Sequence, residues 1–169
     1  NRLTTLNSNS ANAVWQLHID YLFKKHHRFS LNYLLDEFVL DQNIEIGKEH
    51  GKAFSGKYVF SSKLKSKYFM NLFLSGIYVG TPTFRHGNGQ NNFVNDNLPL
   101  GWEYGSDGLE IALGVCIFNR DNSIFELSLG ILSNGDESIL DNSYSQYSDY
   151  IKGKFPSGNI NSRSYLKNN

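Results

Sequence analysis

Apolar and polar positions alternate along most of this chain, the period of a β-strand lying between two environments. Over residues 13–23 the odd positions read Ala13, Trp15, Leu17, Ile19, Tyr21 and Phe23, with Val14, Gln16, His18, Asp20 and Leu22 between them. A second strand sets Phe29, Leu31, Tyr33 and Leu35 against Ser30, Asn32, Leu34 and Asp36. A third, over 52–60, sets Phe54, Tyr58 and Phe60 against Ser55 and Lys57. A fourth covers 68–79, less cleanly, with Phe69 and Phe73 among its even-face partners. The fifth is the most regular: Leu109, Ile111, Leu113, Val115 and Ile117 alternate with Gly108, Glu110, Ala112, Gly114 and Cys116. The sixth carries Phe125, Leu127, Leu129 and Ile131 against Glu126, Ser128 and Gly130. A seventh begins in the tail, after the run FPSG. Helical periodicity is almost absent.

The connections alternate in length. KKHHR, SSKLKSK and NRDNS are short, whereas roughly 38–51, 80–107 and 133–150 are long and rich in Asn, Gly, Asp and Ser, which favour turns. Short turns at one end and long loops at the other are the pattern of outer-membrane barrels. Aromatic residues flank every short turn, as an interfacial girdle requires: Phe23 and Phe29, Phe60 and Tyr68, Phe118 and Phe125. The expected fold is therefore all-β, an antiparallel up-and-down meander forming part of a transmembrane β-barrel, with residues 1–169 one barrel domain. Alternation by itself also suits a soluble barrel or sandwich, whose apolar face is a protein core. In a membrane barrel, His18, Asp20, Asp36, Lys57, Glu110 and Glu126 line a polar lumen; in a soluble fold they face water. Six or seven strands fall short of the eight of the smallest known barrels, so the chain reads as part of a larger one.

Composition sharpens this in two ways. Aromatic residues make up 14% of the 169 residues, against 3 Pro and 1 Met, which favours strands. The formal net charge is zero, so bulk electrostatics give no reason to expect a nucleic-acid partner. One cysteine, Cys116, excludes an internal disulfide. No apolar run approaches the roughly 20 residues of a membrane helix.

The run LPLGWEYGSDGLEIALG, with the strand and loop before it, resembles the capsule-assembly outer-membrane β-barrel family (Wzi-like). So does the order of the chain: the Leu-Asp-Glu-Phe run at 35–38, a Gly-bounded hairpin, the long loop with Pro-Leu-Gly and Gly-x-Asp, a short-turn hairpin and FPSG. The matching positions are Pro99, Leu100, Gly101, Gly105 and Asp107. Where that family often has histidines near Pro-Leu-Gly, this chain has Asn95 and Trp102. The resemblance covers most of the chain and implies the C-terminal part of a cell-surface barrel in the bacterial outer membrane, lectin-like and not an enzyme. Its implied partners are outer-membrane lipid and capsular or other surface polysaccharide.

Saccharide recognition uses amides and carboxylates for hydroxyls and an aromatic face for the apolar side of a sugar ring. The long loop supplies both in Phe84, Arg85, His86, Asn91, Asn92, Asn95, Asn97, Trp102, Glu103 and Tyr104, of which Arg85, His86, Asn95, Asn97, Trp102 and Glu103 are the expected ligand-binding set. The plainer reading puts Trp102 and Tyr104 in an aromatic belt, leaves the Asn residues as turn formers, and makes Gly101 and Gly105 backbone hinges. No catalytic residue, metal or cofactor is expected. Carboxylates such as Asp20 with Asp36, or Glu110 with Glu126, fit a charge-paired interior better than a hydrolase. His26 and His27 lack a third ligand nearby, and KKHHR reads as a solvated basic turn able to meet lipid head groups. Asp136, Glu137, Asp141 and Asp149 offer oxygens for calcium without EF-hand spacing. A porin-like channel and a soluble sugar-binding β-sandwich remain the alternatives.

Overall fold

The computed structural model describes residues 14–37, 49–65, 67–84, 94–95, 98–99, 101–119, 123–139 and 155–168. The main elements are β1 (Trp15–Phe23), β2 (His27–Glu37), β3 (Gly51–Lys65) and β4 (Tyr68–Val79). Two-residue strands β5 (Val94–Asn95) and β6 (Leu98–Pro99) follow, then β7 (Gly108–Asn119), β8 (Ile124–Asn134) and β9 (Asn161–Asn168). No helix occurs among the described residues. The seven long strands form one open antiparallel sheet in the order β1-β2-β3-β4-β7-β8-β9, and β5 pairs only with β6. Each long strand therefore hydrogen-bonds to the next one in the chain, an up-and-down meander.

The register keeps the two faces separate across the whole sheet. Tyr21, Phe29, Tyr58, Leu74, Leu113, Leu129 and Leu166 stand side by side in one row, one from each strand. All seven are exposed. One residue along, on the other face, the row reads Asp20, Ser30, Lys57, Ser75, Ala112, Gly130 and Tyr165. The apolar face is thus the bare one. What core exists lies on the opposite face at the long-loop end, where Val79, Phe84, Trp102, Leu132 and Ile139 are buried together. Leu34, Ala53, Ile77, Tyr104 and Tyr165 pack against them.

Strand existence and order match the alternation, and the boundaries differ in informative places. The segment SSKLKSK, read from its composition as a turn, is mostly strand: β3 runs on to Lys65 and pairs with β4 as far as Tyr68. Cross-strand pairing decides there, because a strand end that has left the apolar layer needs no hydrophobic pattern. β2 likewise starts two residues earlier than expected, at His27, which pairs with Phe23 and Phe60. Phe118 does not join the aromatics of the apolar face. It pairs in register with Phe69 on the other face, and the rings stack at 5.5 Å. Phe23, Phe29, Tyr68 and Phe125 do stand exposed on the apolar face beside the short turns.

The long-loop end is tied together by one carboxylate. Asp107, fully buried, accepts from Thr81 Oγ1 at 2.7 Å, from Glu137 N at 3.2 Å, from Ser157 N at 3.0 Å and from Ser157 Oγ. The Gly-x-Asp and FPSG motifs, 50 residues apart, meet at this point. Around it, Ile139 N donates to Ser106 Oγ at 3.0 Å, and Gly135 N donates to the Asp107 carbonyl at 2.8 Å.

Candidate functional site

The site is built where segment 101–107 turns back over the polar face instead of extending away from the sheet. Gly105, at φ 84°, takes the left-handed conformation that this reversal needs, and its N–H closes on the Trp102 carbonyl at 2.9 Å. The Trp102 ring then lies over the start of β7. A Cβ on Gly108 would stand 2.7 Å from that ring and 2.7 Å from the Ser133 carbonyl, so only glycine fits there. Trp102 is 8% exposed. Its Nε1 donates to Glu110 Oε2 at 2.8 Å, and the second Glu110 oxygen accepts from the Tyr165 hydroxyl. Both the indole and the carboxylate would be costly to bury unpaired, and each satisfies the other.

The segment continues toward β9. Tyr104 meets Trp102 edge-on at 5.3 Å between centroids, and the Arg163 guanidinium lies 4.9 Å over the Tyr104 ring. Glu103 accepts from Lys167 Nζ at 2.8 Å. That lysine, with a contribution from Tyr104, holds the Glu103 carboxyl below its ordinary value. Burial, with Glu103 beside it, raises the Tyr104 phenol. Trp102 and Tyr104 therefore belong to the polar face and not to an outward aromatic belt.

Between this segment and β1–β4 lies a cleft of about 300 Å³. Its walls are the amides of Gln16 and Asn32 and the Ser55 hydroxyl on one side, and Leu34, Ala53 and Ile77 below. Phe84, Gly101 and Trp102 close the loop end. The polar wall is ordered by its own bonds. Asn32 Oδ1 lies 2.7 Å from His18 Nδ1 and accepts from Gln16 Nε2 at 3.4 Å, while Asn32 Nδ2 donates to Ser55 Oγ at 3.2 Å. Phe84 is fixed in turn by its N–H, which donates to the buried Asp36 carboxylate at 2.5 Å. Among the described residues the lining mixes apolar walls with a few held polar groups and no charged side chain, the usual make-up of a small-molecule pocket.

The expected residues fall into distinct groups. Trp102 reaches the cleft and Glu103 instead pairs with Lys167 on β9, whereas Arg85, His86 and Asn97 lie outside the described residues, as do Asn91, Asn92, Asp141 and Asp149. Asn95 pairs with Leu98 in the β5–β6 hairpin. The six residues read as lumen-facing share the polar face by register, but not as one network. His18 joins the Asn32 ladder, and Asp20 takes a two-nitrogen grip from Arg28, with Nε at 2.9 and 3.1 Å. Asp36 caps the Phe84 turn, Lys57 sits 4.6 Å over the Phe73 ring, and Glu110 holds Trp102 and Tyr165. Glu126 pairs in register with Cys116, six residues along β7 from Glu110, so those two carboxylates do not adjoin. Asp20 and Asp36 are likewise at opposite ends of β1–β2. Asp136 accepts from Asn159 N at 2.8 Å, a turn-forming role.

Phe84 was among the loop residues that sequence reasoning offered for saccharide recognition, whereas Gln16, Asn32 and Ser55 were missed as cleft residues. The signal for the inward turn was present in the spacing of Gly101, Gly105 and Gly108 around Trp102. No family model matches this chain, and no curated protein or solved structure is significantly similar to it.

Proposed function

We propose that this chain forms part of the wall of an outer-membrane β-barrel whose long-loop end binds or helps assemble surface polysaccharide. The observation that carries the reading is the sidedness of the sheet: a seven-strand apolar face left bare, opposite a polar face that carries the hydrogen bonds, the folded-back loop and the cleft. At the usual strand spacing of about 4.8 Å the bare face is about 30 Å wide. Water does not tolerate a contiguous apolar surface of that size without a partner, and a hydrocarbon layer is the partner whose shape fits a continuous face. The regular apolar stretch of β7, residues 109–117, gives about 20 Å of thickness at a tilt of about 45°, near the apolar band of such barrels. Lipid tolerates no open sheet edge, so β1 and β9 must pair with further strands, from this polypeptide or another copy, to close the barrel.

Two features favour polysaccharide binding over an open channel. Segment 101–107 folds across the polar face and narrows the lumen. Among the described residues, the cleft it closes is lined by uncharged side chains and offers amides beside ring edges, which suits a hydroxyl-rich neutral ligand. Many such weak contacts along a repeating polymer gain strength by avidity.

The test uses Trp102 as its own reporter. In a Trp15→Phe variant, Trp102 is the remaining tryptophan of the two. Titration of the refolded protein with purified neutral capsular polysaccharides gives a saturable change in its emission. The Asn32→Leu variant weakens the binding about tenfold, the equivalent of a charge-free hydrogen bond lost with its desolvated partner. Emission unchanged by every neutral polysaccharide, or binding indifferent to Asn32, overturns the carbohydrate part of the proposal.

A further inference from the structure

The short-turn end of the sheet is cationic in a way that the lumen and the cleft do not use. The β1–β2 turn places Lys24 and Lys25 at φ 48° and 61°, both exposed, and Lys24 Nζ lies 5.0 Å over the Phe23 ring. β3, whose Ser61 N donates to the His26 carbonyl at 2.7 Å, runs on beyond that turn to exposed Lys65, and exposed Lys67 stands in the β3–β4 turn at the same end of the sheet. The nearest carboxylate on β1 and β2 at this end, Asp20, is already committed to Arg28. On the apolar side, just inside these lysines, stand exposed Phe23, Phe29 and Tyr68. Cations projecting past a band of aromatics fit a membrane surface, with rings at the interface and ammonium groups among the head groups.

We propose that this lysine rim binds anionic phospholipid head groups of the leaflet on the short-turn side. The inference rests on the barrel reading above and goes beyond it: the wall would be anchored by charge at one specified end. Charge complementarity selects the lipid. Zwitterionic head groups offer the ammonium groups no net attraction, whereas an anionic surface gains affinity with each lysine near it, within a Debye length. The exposed lysines have stems long enough to reach that surface from either turn.

The experiment compares association with phosphatidylcholine vesicles and with vesicles that also contain phosphatidylglycerol, followed by flotation and by heat-modifiable migration. The anionic lipid raises the bound fraction, added salt abolishes the gain, and each Lys→Gln substitution at 24, 25, 65 or 67 lowers the gain about fivefold. Since the β1–β2 turn needs left-handed residues, the Lys65→Gln, Lys67→Gln double variant tests the rim without touching that turn. Protein that inserts equally well into both vesicle types overturns the rim and leaves the barrel standing. Protein that stays soluble with both overturns the barrel reading and the rim together. A gain that survives all four substitutions also rejects the rim as its cause.

Discussion

On the barrel reading proposed above, replacing Leu113 with arginine destabilises the protein in a bilayer by about 2–4 kcal/mol, the cost of a cation on the lipid face near mid-depth. Leu113 is central to β7, flanked by Leu74 and Leu129, and is 58% exposed. The same residue on the surface of a water-soluble sheet would change stability by no more than about 0.5 kcal/mol. Few substitutions separate two environments so widely, because the side chain makes the same few contacts in both. The comparison is Tyr68→Arg at the short-turn end of β4, where an interfacial position costs only about 0–1 kcal/mol. Denaturant unfolding in vesicles of defined lipid measures both variants. A large loss at 113 and a small one at 68 is the expected depth profile, and equal, negligible losses would place the apolar face in water.

The second large effect is expected at Asp107. Thr81 Oγ1, Glu137 N, Ser157 N and Ser157 Oγ all donate to it, so removing the carboxylate strands several half-buried donors at once. Asp107→Ala costs about 3–5 kcal/mol by the usual penalties for unsatisfied buried groups. It also adds strain, since residue 107 sits at φ 56°, where a short polar side chain is better tolerated than alanine. Asp107→Asn separates the two causes: it tolerates the backbone but turns an NH₂ toward the Glu137 and Ser157 N–H groups, which can only donate, while the Thr81 and Ser157 hydroxyls can reverse and accept. It should recover the smaller part of the loss. Protease cutting within 135–159 would accelerate in both variants, because Ser157 and Glu137 lose their common anchor. Wild-type stability in the asparagine variant would show that the four donors do not depend on the carboxylate's charge.

The extent to which the fold was legible follows from what alternation encodes. A residue such as Leu113 declares its face by its neighbours, and a register row from Tyr21 to Leu166 is a consequence of strands that each keep that period. Alternation says nothing once a strand leaves the apolar layer. Residues 61–65 look like a turn by composition, yet backbone pairing with β4 extends them as strand. It is silent on loops too. The contact between Asp107 and Ser157 and the grip of Glu110 on Tyr165 join residues 50 and 55 positions apart, with no local pattern to announce them. Trp102 was recognisable as a candidate because an indole in a polar loop is unusual. Its direction was not, since a belt facing outward and a lid folded inward demand the same residue type. Gly108 holds the distinguishing mark, a missing Cβ where the ring must lie.

The most direct test of the sidedness uses the two tryptophans. Trp15 is 66% exposed on the apolar face, and Trp102 is 8% exposed on the polar one. Each is isolated in turn by Trp102→Phe and Trp15→Phe, and the protein is refolded in vesicles whose acyl chains carry bromine, a short-range quencher. The barrel account predicts that Trp15 emission is strongly quenched by the brominated chains and that Trp102 emission is not. Trp15 emission that ignores the brominated lipid and yields instead to a water-soluble quencher would contradict it, and would put the seven-strand apolar face against something other than a membrane.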